Sequence, residues 1–136
     1  MPQKVPQPVI LAAPTPSENA HEKSFIQALT TINELEKKIQ TSTMPIIIKC
    51  SATWCPPCKA MKPLYEQLAQ ELQEKIMFFE LDTDQFDDTR KLNIRGIPVF
   101  ILYRNGKEIS RIVGARTYKE LKEEVLKAFE ITIPVK

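Results

Sequence analysis

The chain lacks most of what would signal a cofactor, a membrane or a nucleic-acid surface. Histidine occurs once, at His21, and cysteine three times. A structural zinc ion wants four ligands, and Cys50 and His21 are the only other soft candidates beside a Cys-x-x-Cys pair. Three cysteines do not make a disulfide framework; they fit one working pair and one spare. No nucleotide-binding motif is present. No apolar run approaches the roughly 20 residues of a membrane-spanning helix. Lys and Arg together number 19 against 17 Asp and Glu, and the signs are interspersed, whereas a nucleic-acid surface needs a basic stripe. Near the N-terminus, Lys4 and the short patch Val9 to Ala13 sit among prolines. A secretory signal needs an uninterrupted apolar run of about 7–15 residues. The expectation is a monomer of the reducing cytoplasm, with neither membrane nor nucleic acid as partner.

What is present is Trp54-Cys55-Pro56-Pro57-Cys58-Lys59. Two cysteines separated by two residues can close a small ring and pass its two electrons to another protein. The apolar run Ile46-Ile47-Ile48 ends just before the motif, and a helical pattern starts inside it. Cys55 is therefore expected at a helix N-terminus, where unpaired N–H groups and the helix dipole stabilise negative charge. A thiol there ionises more easily, and the thiolate is the reactive form. Cys55 is the expected nucleophile, and Cys58, one turn in, attacks its sulfur to release the product. A structural disulfide or half of a zinc site is the bland alternative. Pro56 and Pro57 fall in the first helical turn, where a missing N–H costs nothing.

The pattern along the chain suggests a flexible Pro-rich extension over residues 1–20 and one domain over 21–136, a length that carries an ordinary core. Pro8 to Ala12 is a candidate edge strand. Phe25, Leu29, Ile32, Leu35 and Ile39 recur at helical spacing, which predicts a helix over Glu18–Gln40. Ile46 to Cys50 and Ile76 to Leu81 read as buried strands. Between them, Met61, Leu64, Tyr65, Leu68 and Leu72 form the apolar face of a helix with Pro63 inside it, expected to kink it. Gln85–Leu92 suggests a short helix. Val99 to Tyr103, the turn Asn105-Gly106 and Lys107 to Val113 read as a hairpin. Tyr118, Leu121, Val125 and Phe129 share one side of a last helix. The elements run β-α-β-α-β-β-α after the extension, or with one more strand in front. The fold class is α/β, with a mixed four- or five-stranded sheet and helices on both faces.

Four segments together resemble the thioredoxin family: Ser51-Ala52-Thr53-Trp54-Cys55 through Cys58-Lys59, then Lys62-Pro63, Gly96-Ile97-Pro98 and Val113-Gly114-Ala115. The resemblance covers about Ser24 to Phe129. It implies a thioredoxin fold and a protein-disulfide reductase with no bound cofactor beyond the redox-active disulfide Cys55–Cys58. Its substrates would be disulfide-containing proteins, and its electrons would come from an NADPH-dependent thioredoxin reductase. A disulfide oxidase or isomerase, or a non-catalytic binding module, are the rival functions. By the same resemblance Pro98 is cis, Ile97 offers its backbone to an extended substrate, Gly114 keeps the groove rim open or supplies a turn, and Trp54 forms a flat surface beside the motif.

Two positions depart from the family. Pro56 stands where the family usually has Gly, which is expected to stiffen the ring and shift its potential, unless the exchange is neutral. Lys49 stands where the family has a buried Asp, and Glu80 where it often has a facing Lys. The pair is expected with its charges exchanged, either Glu80 serving as base or Lys49 stabilising thiolate. The alternative is that Lys49 reaches solvent and Glu80 is surface-exposed. Were the pair buried, Lys49→Met would strand Glu80 and cost about 3–5 kcal/mol. Cys50, mid-strand, reads as a small buried hydrophobe.

Overall fold

The computed structural model describes residues 25–133; the expected extension over residues 1–20 and the candidate strand Pro8 to Ala12 lie outside that range. The elements are β1 (Ile26–Ala28), α1 (Ile32–Thr41), β2 (Ile46–Ser51), α2 (Pro56–Leu72), β3 (Met77–Asp82), a 3-10 turn (Thr89–Leu92), β4 (Val99–Arg104), β5 (Lys107–Val113) and α3 (Tyr118–Phe129). They build one five-stranded mixed sheet in the order β1-β3-β2-β4-β5. β3 runs parallel to both β1 and β2, while β4 is antiparallel to β2 and β5.

Each face of the sheet is buried under helices. Ile47, Phe78, Phe100 and Leu102 pack with Tyr65 and Leu68 of α2 and with Leu121, Val125 and Phe129 of α3. On the other face Ile46, Ile48, Cys50 and Ile101 meet Leu29, which precedes α1, and Ile32 and Leu35 at its start. This two-sided burial explains why β2 is an almost unbroken apolar run. The hairpin forms where Asn105-Gly106 predicts it, with positive φ at both residues (55° and 82°).

The first helix departs from its expected bounds. The segment Ile26–Ala28 is a strand, paired in parallel with Phe78 to Glu80. The helix begins only at Ile32, because Thr31 caps it. The Thr31 side chain accepts from the Glu34 N–H, and the Glu34 carboxylate accepts from the Thr31 N–H. That reciprocal box satisfies orphan donors at the helix start. Asp87 accepts the Ile32 N–H at 2.8 Å and ties this end to the loop after β3. The extra strand in front of the fold therefore comes from inside the expected helix.

Candidate active site

β2 is the central strand, and its C-terminal end delivers the loop that carries the cysteine motif. Cys55 is the N-cap of α2, with extended backbone (φ −101°, ψ 108°), and Pro56 and Pro57 open the helix. The Cys55 Sγ accepts the Cys58 N–H at 3.2 Å. The sulfur thus takes the capping role that an oxygen usually fills. Cys55 and Cys58 are joined as a disulfide, their Cα atoms 5.2 Å apart. Both are buried in this form, at 4% and 3% exposure, against Ala52 and Ile97.

Ile97 precedes a cis peptide bond to Pro98. β4 begins one residue later, and Val99 pairs with Cys50 near the end of β2. This register brings the Ile97-Pro98 turn beside the cysteine loop. The Pro98 carbonyl accepts the Gly114 N–H at 2.8 Å. Gly114 has φ +95°, a conformation that side-chain-bearing residues avoid, and an added Cβ would meet only the Arg116 guanidinium at 3.7 Å. The glycine is thus explained by its backbone angle. Trp54 is 64% exposed, and its indole N–H donates to Asp84 at 2.7 Å, which fixes the ring on the surface.

Lys49 does not reach solvent. It is 3% exposed, with Nζ 5.6 Å from the centroid of the Tyr65 ring. Glu80 is its register partner on β3 and is half-buried. The ion pairs among the described residues are all formed elsewhere, so these two are neighbours without direct contact between their charges. Burial pushes the Lys49 ammonium below the ordinary lysine range, while Glu80 and Glu66 oppose that push and Lys62 adds to it. A cavity of about 460 Å³ opens between β2, β3 and α2, and Lys49, Glu80, Cys58, Lys59 and Lys62 all line it. Cys50 lies on the other face of β2, fully buried, and burial pushes its thiol up to about 12.

Ile97 packs against the two cysteines, and Lys49, Glu80 and Cys58 share one cavity, while three further structural contributors carry no local sequence signal. Asp84 holds Trp54 from a turn after β3, at a separation no local motif reports. Tyr65 is fully buried, and its hydroxyl donates to the Ile47 and Phe79 carbonyls at 3.1 and 2.7 Å, bracing β2 against β3. Arg111 on β5 donates to the Leu92 carbonyl, to the Asn93 carbonyl at 3.1 Å and to Glu108, anchoring the loop that leads to Ile97. Among the described residues, no group of three or more His, Cys, Asp and Glu is arranged to hold a metal ion. None of the described helices is long and apolar enough to cross a membrane.

Comparison with known proteins agrees with this geometry. The family model described as Thioredoxin matches residues 26–127. Thioredoxin 1 of Chlorobaculum tepidum is 36% identical over 95 residues, 69% of this chain and 94% of that protein. Thioredoxin Asp f 29 of Aspergillus fumigatus is 33% identical over 92 residues, 66% of this chain and 84% of that protein. Among solved structures, mitochondrial thioredoxin 3 from Saccharomyces cerevisiae, in its oxidized form, superposes with a TM-score of 0.69 at 29% identity, covering 77% of this chain and 99% of that one. The mixed sheet with helices on both faces is the thioredoxin fold. By sequence and by structure alike, the chain belongs to the thioredoxin family, and its chemistry is dithiol–disulfide exchange at Cys55 and Cys58.

Proposed function

We propose that this protein is a protein-disulfide reductase of the cytoplasm in which Cys55 attacks and Cys58 resolves. The observation that carries the reading is the capping bond from the Cys58 N–H to the Cys55 sulfur. The same donor, at the positive end of α2, stabilises a thiolate on Cys55 when the disulfide is open. Cys55 attacks one sulfur of a substrate disulfide, forms a mixed disulfide and expels the other sulfur as thiolate. Cys58 then attacks Cys55, releases the second substrate thiol and restores the ring. Trp54, Ile97, Pro98 and Gly114 form the surface against which an extended substrate segment lies. The dithiol is restored by an NADPH-dependent thioredoxin reductase, the electron source that thioredoxin-family proteins generally use.

A cytoplasmic setting suits a dithiol that must stay reduced to act. Other relatives carry chloroplastic names, such as Thioredoxin Y of Oryza sativa, and subcellular fractionation tests the assignment. The activity is tested by insulin reduction with NADPH and a thioredoxin reductase. Wild type reduces insulin and Cys55→Ser does not; equal activity of the two would leave only a docking module.

A further inference from the structure

Among the described residues, one ammonium group is buried that the exchange reaction, as described, does not use. Lys49 is held in the central strand under α2, and the cavity it lines is also lined by Cys58. Its space is sufficient for several waters, and the charged side chains along its otherwise apolar lining give them partners. Lys49 and Cys58 are each only 3% exposed, so salt and water screen the interaction between them less than between two surface groups. Glu80, beside Lys49 in register, faces the same space with the opposite sign. The other charged groups around it are Asp82 on β3 and Lys59 and Lys62 on α2, with Glu66 of α2 acting on Lys49 from one turn further along. The end of β1 contributes Ala28 and the connection to α1 contributes Leu29 and Thr30, none of them charged.

We infer that Lys49 is a positioning residue for charge on the resolving sulfur: its buried ammonium draws Cys58 towards thiolate across the shared cavity, and Glu80 tempers that pull. The inference rests on the proposed role of Cys58. In the resolving step the Cys58 proton leaves into the cavity and on to solvent. The Cys58 sulfur donates an electron pair to the Cys55 sulfur and the Cys55–Cys58 bond forms. The bond from Cys55 to the substrate sulfur breaks, and its pair departs on the substrate thiolate, which takes up a proton. Two electrons pass from the dithiol to the substrate disulfide. The cation acts before the attack, by raising the thiolate fraction of Cys58, and a thiolate is the attacking species.

The test reads the Cys58 thiolate directly in a Cys55→Ser background, by the pH profile of iodoacetamide alkylation with the modified peptide identified by mass. Cys50 remains a thiol over most of this range because burial pushes it up to about 12, and its peptide is counted separately. Lys49→Met raises the Cys58 midpoint by about one pH unit, roughly a tenfold loss of thiolate at neutral pH. Glu80→Gln, which removes the opposing charge, lowers the midpoint. Opposite shifts support the inference; any other pattern overturns it. Should Lys49→Met fail to fold, Glu80→Gln decides alone, a lowered midpoint supporting the inference and an unmoved or raised one overturning it. These profiles require no substrate, so they separate a failure of this inference from a failure of the reductase reading, which wild-type insulin reduction tests by itself.

Discussion

Replacing Lys49 by methionine removes a charge and keeps the length of the side chain, and the structure gives the balance of what is lost. The ammonium near the Tyr65 ring contributes about 0.5–2 kcal/mol as a cation–π contact. Attraction to Glu80 is weaker than in a buried ion pair, because the two charges do not touch and Glu80 is half-buried beside an open cavity. Against these gains stands the cost of desolvating an ammonium, several kcal/mol. Burial outweighs the carboxylates in the folded protein, since it holds the Lys49 ammonium below its ordinary range. Removing the charge therefore relieves more than it forfeits. Stability at pH 7 is expected to stay level or to rise by up to about 2 kcal/mol, not to fall by the amount that a direct buried pair would imply. Adding Glu80→Leu should reveal a coupling of about 1 kcal/mol or less. The pH dependence has a definite sign. Between the lowered folded value of Lys49 and its unfolded value near about 10.4, the unfolded chain binds more protons, so wild-type stability rises with pH. Lys49→Met lacks that rise, and its advantage fades as pH climbs through the window. Urea unfolding followed by far-UV circular dichroism at neutral and alkaline pH measures both effects. A loss of 3 kcal/mol or more, or a difference that ignores pH, would refute the reasoning.

Two further outcomes follow from contacts around the site. Tyr65→Phe deletes a hydroxyl bonded to the Ile47 and Phe79 carbonyls in a fully buried position, and urea unfolding should show a loss of about 1–2 kcal/mol; an unchanged midpoint would mean that the strands need no brace. Gly114→Ala forces a side chain into positive φ without a clash, so stability should drop by about 1–2 kcal/mol, and wild-type stability would show that the turn relaxes freely.

Much of the fold could be read from local chemistry. The isoleucine run of β2 is apolar because helices cover both sides of it, and Asn105-Gly106 turns a hairpin because both residues adopt positive φ. Around β1 and α1 the apolar spacing misleads for a physical reason. Leu29, Ile32 and Leu35 are all buried on one face, so their spacing matches a helix whether or not Leu29 belongs to one. The better signal was Thr31 three residues before Glu34, a capping box that marks where the helix starts; its twin, Thr117 and Glu120, starts α3. At the site, the cysteines, prolines and Ile97-Pro98 turn were legible because their chemistry depends on spacing. The distance between Lys49 and Glu80 was not, since register makes two residues neighbours while side-chain direction decides whether they touch. Asp84 and Arg111 reach their partners across the fold, and no short stretch of sequence records such meetings.

The sheet order places β2 between β3 and β4, and β4 between β2 and β5, so the strand that ends in the cysteine loop and the strand that starts just after Pro98 are each flanked on both sides. Amides in such interior strands exchange with deuterium only when much of the molecule opens, whereas edge strands such as the short β1 open on their own. The most slowly exchanging backbone should therefore end at the reactive sulfurs. Fraying of the periphery would leave the redox centre assembled, and the protein would lose its reactivity only by losing its core.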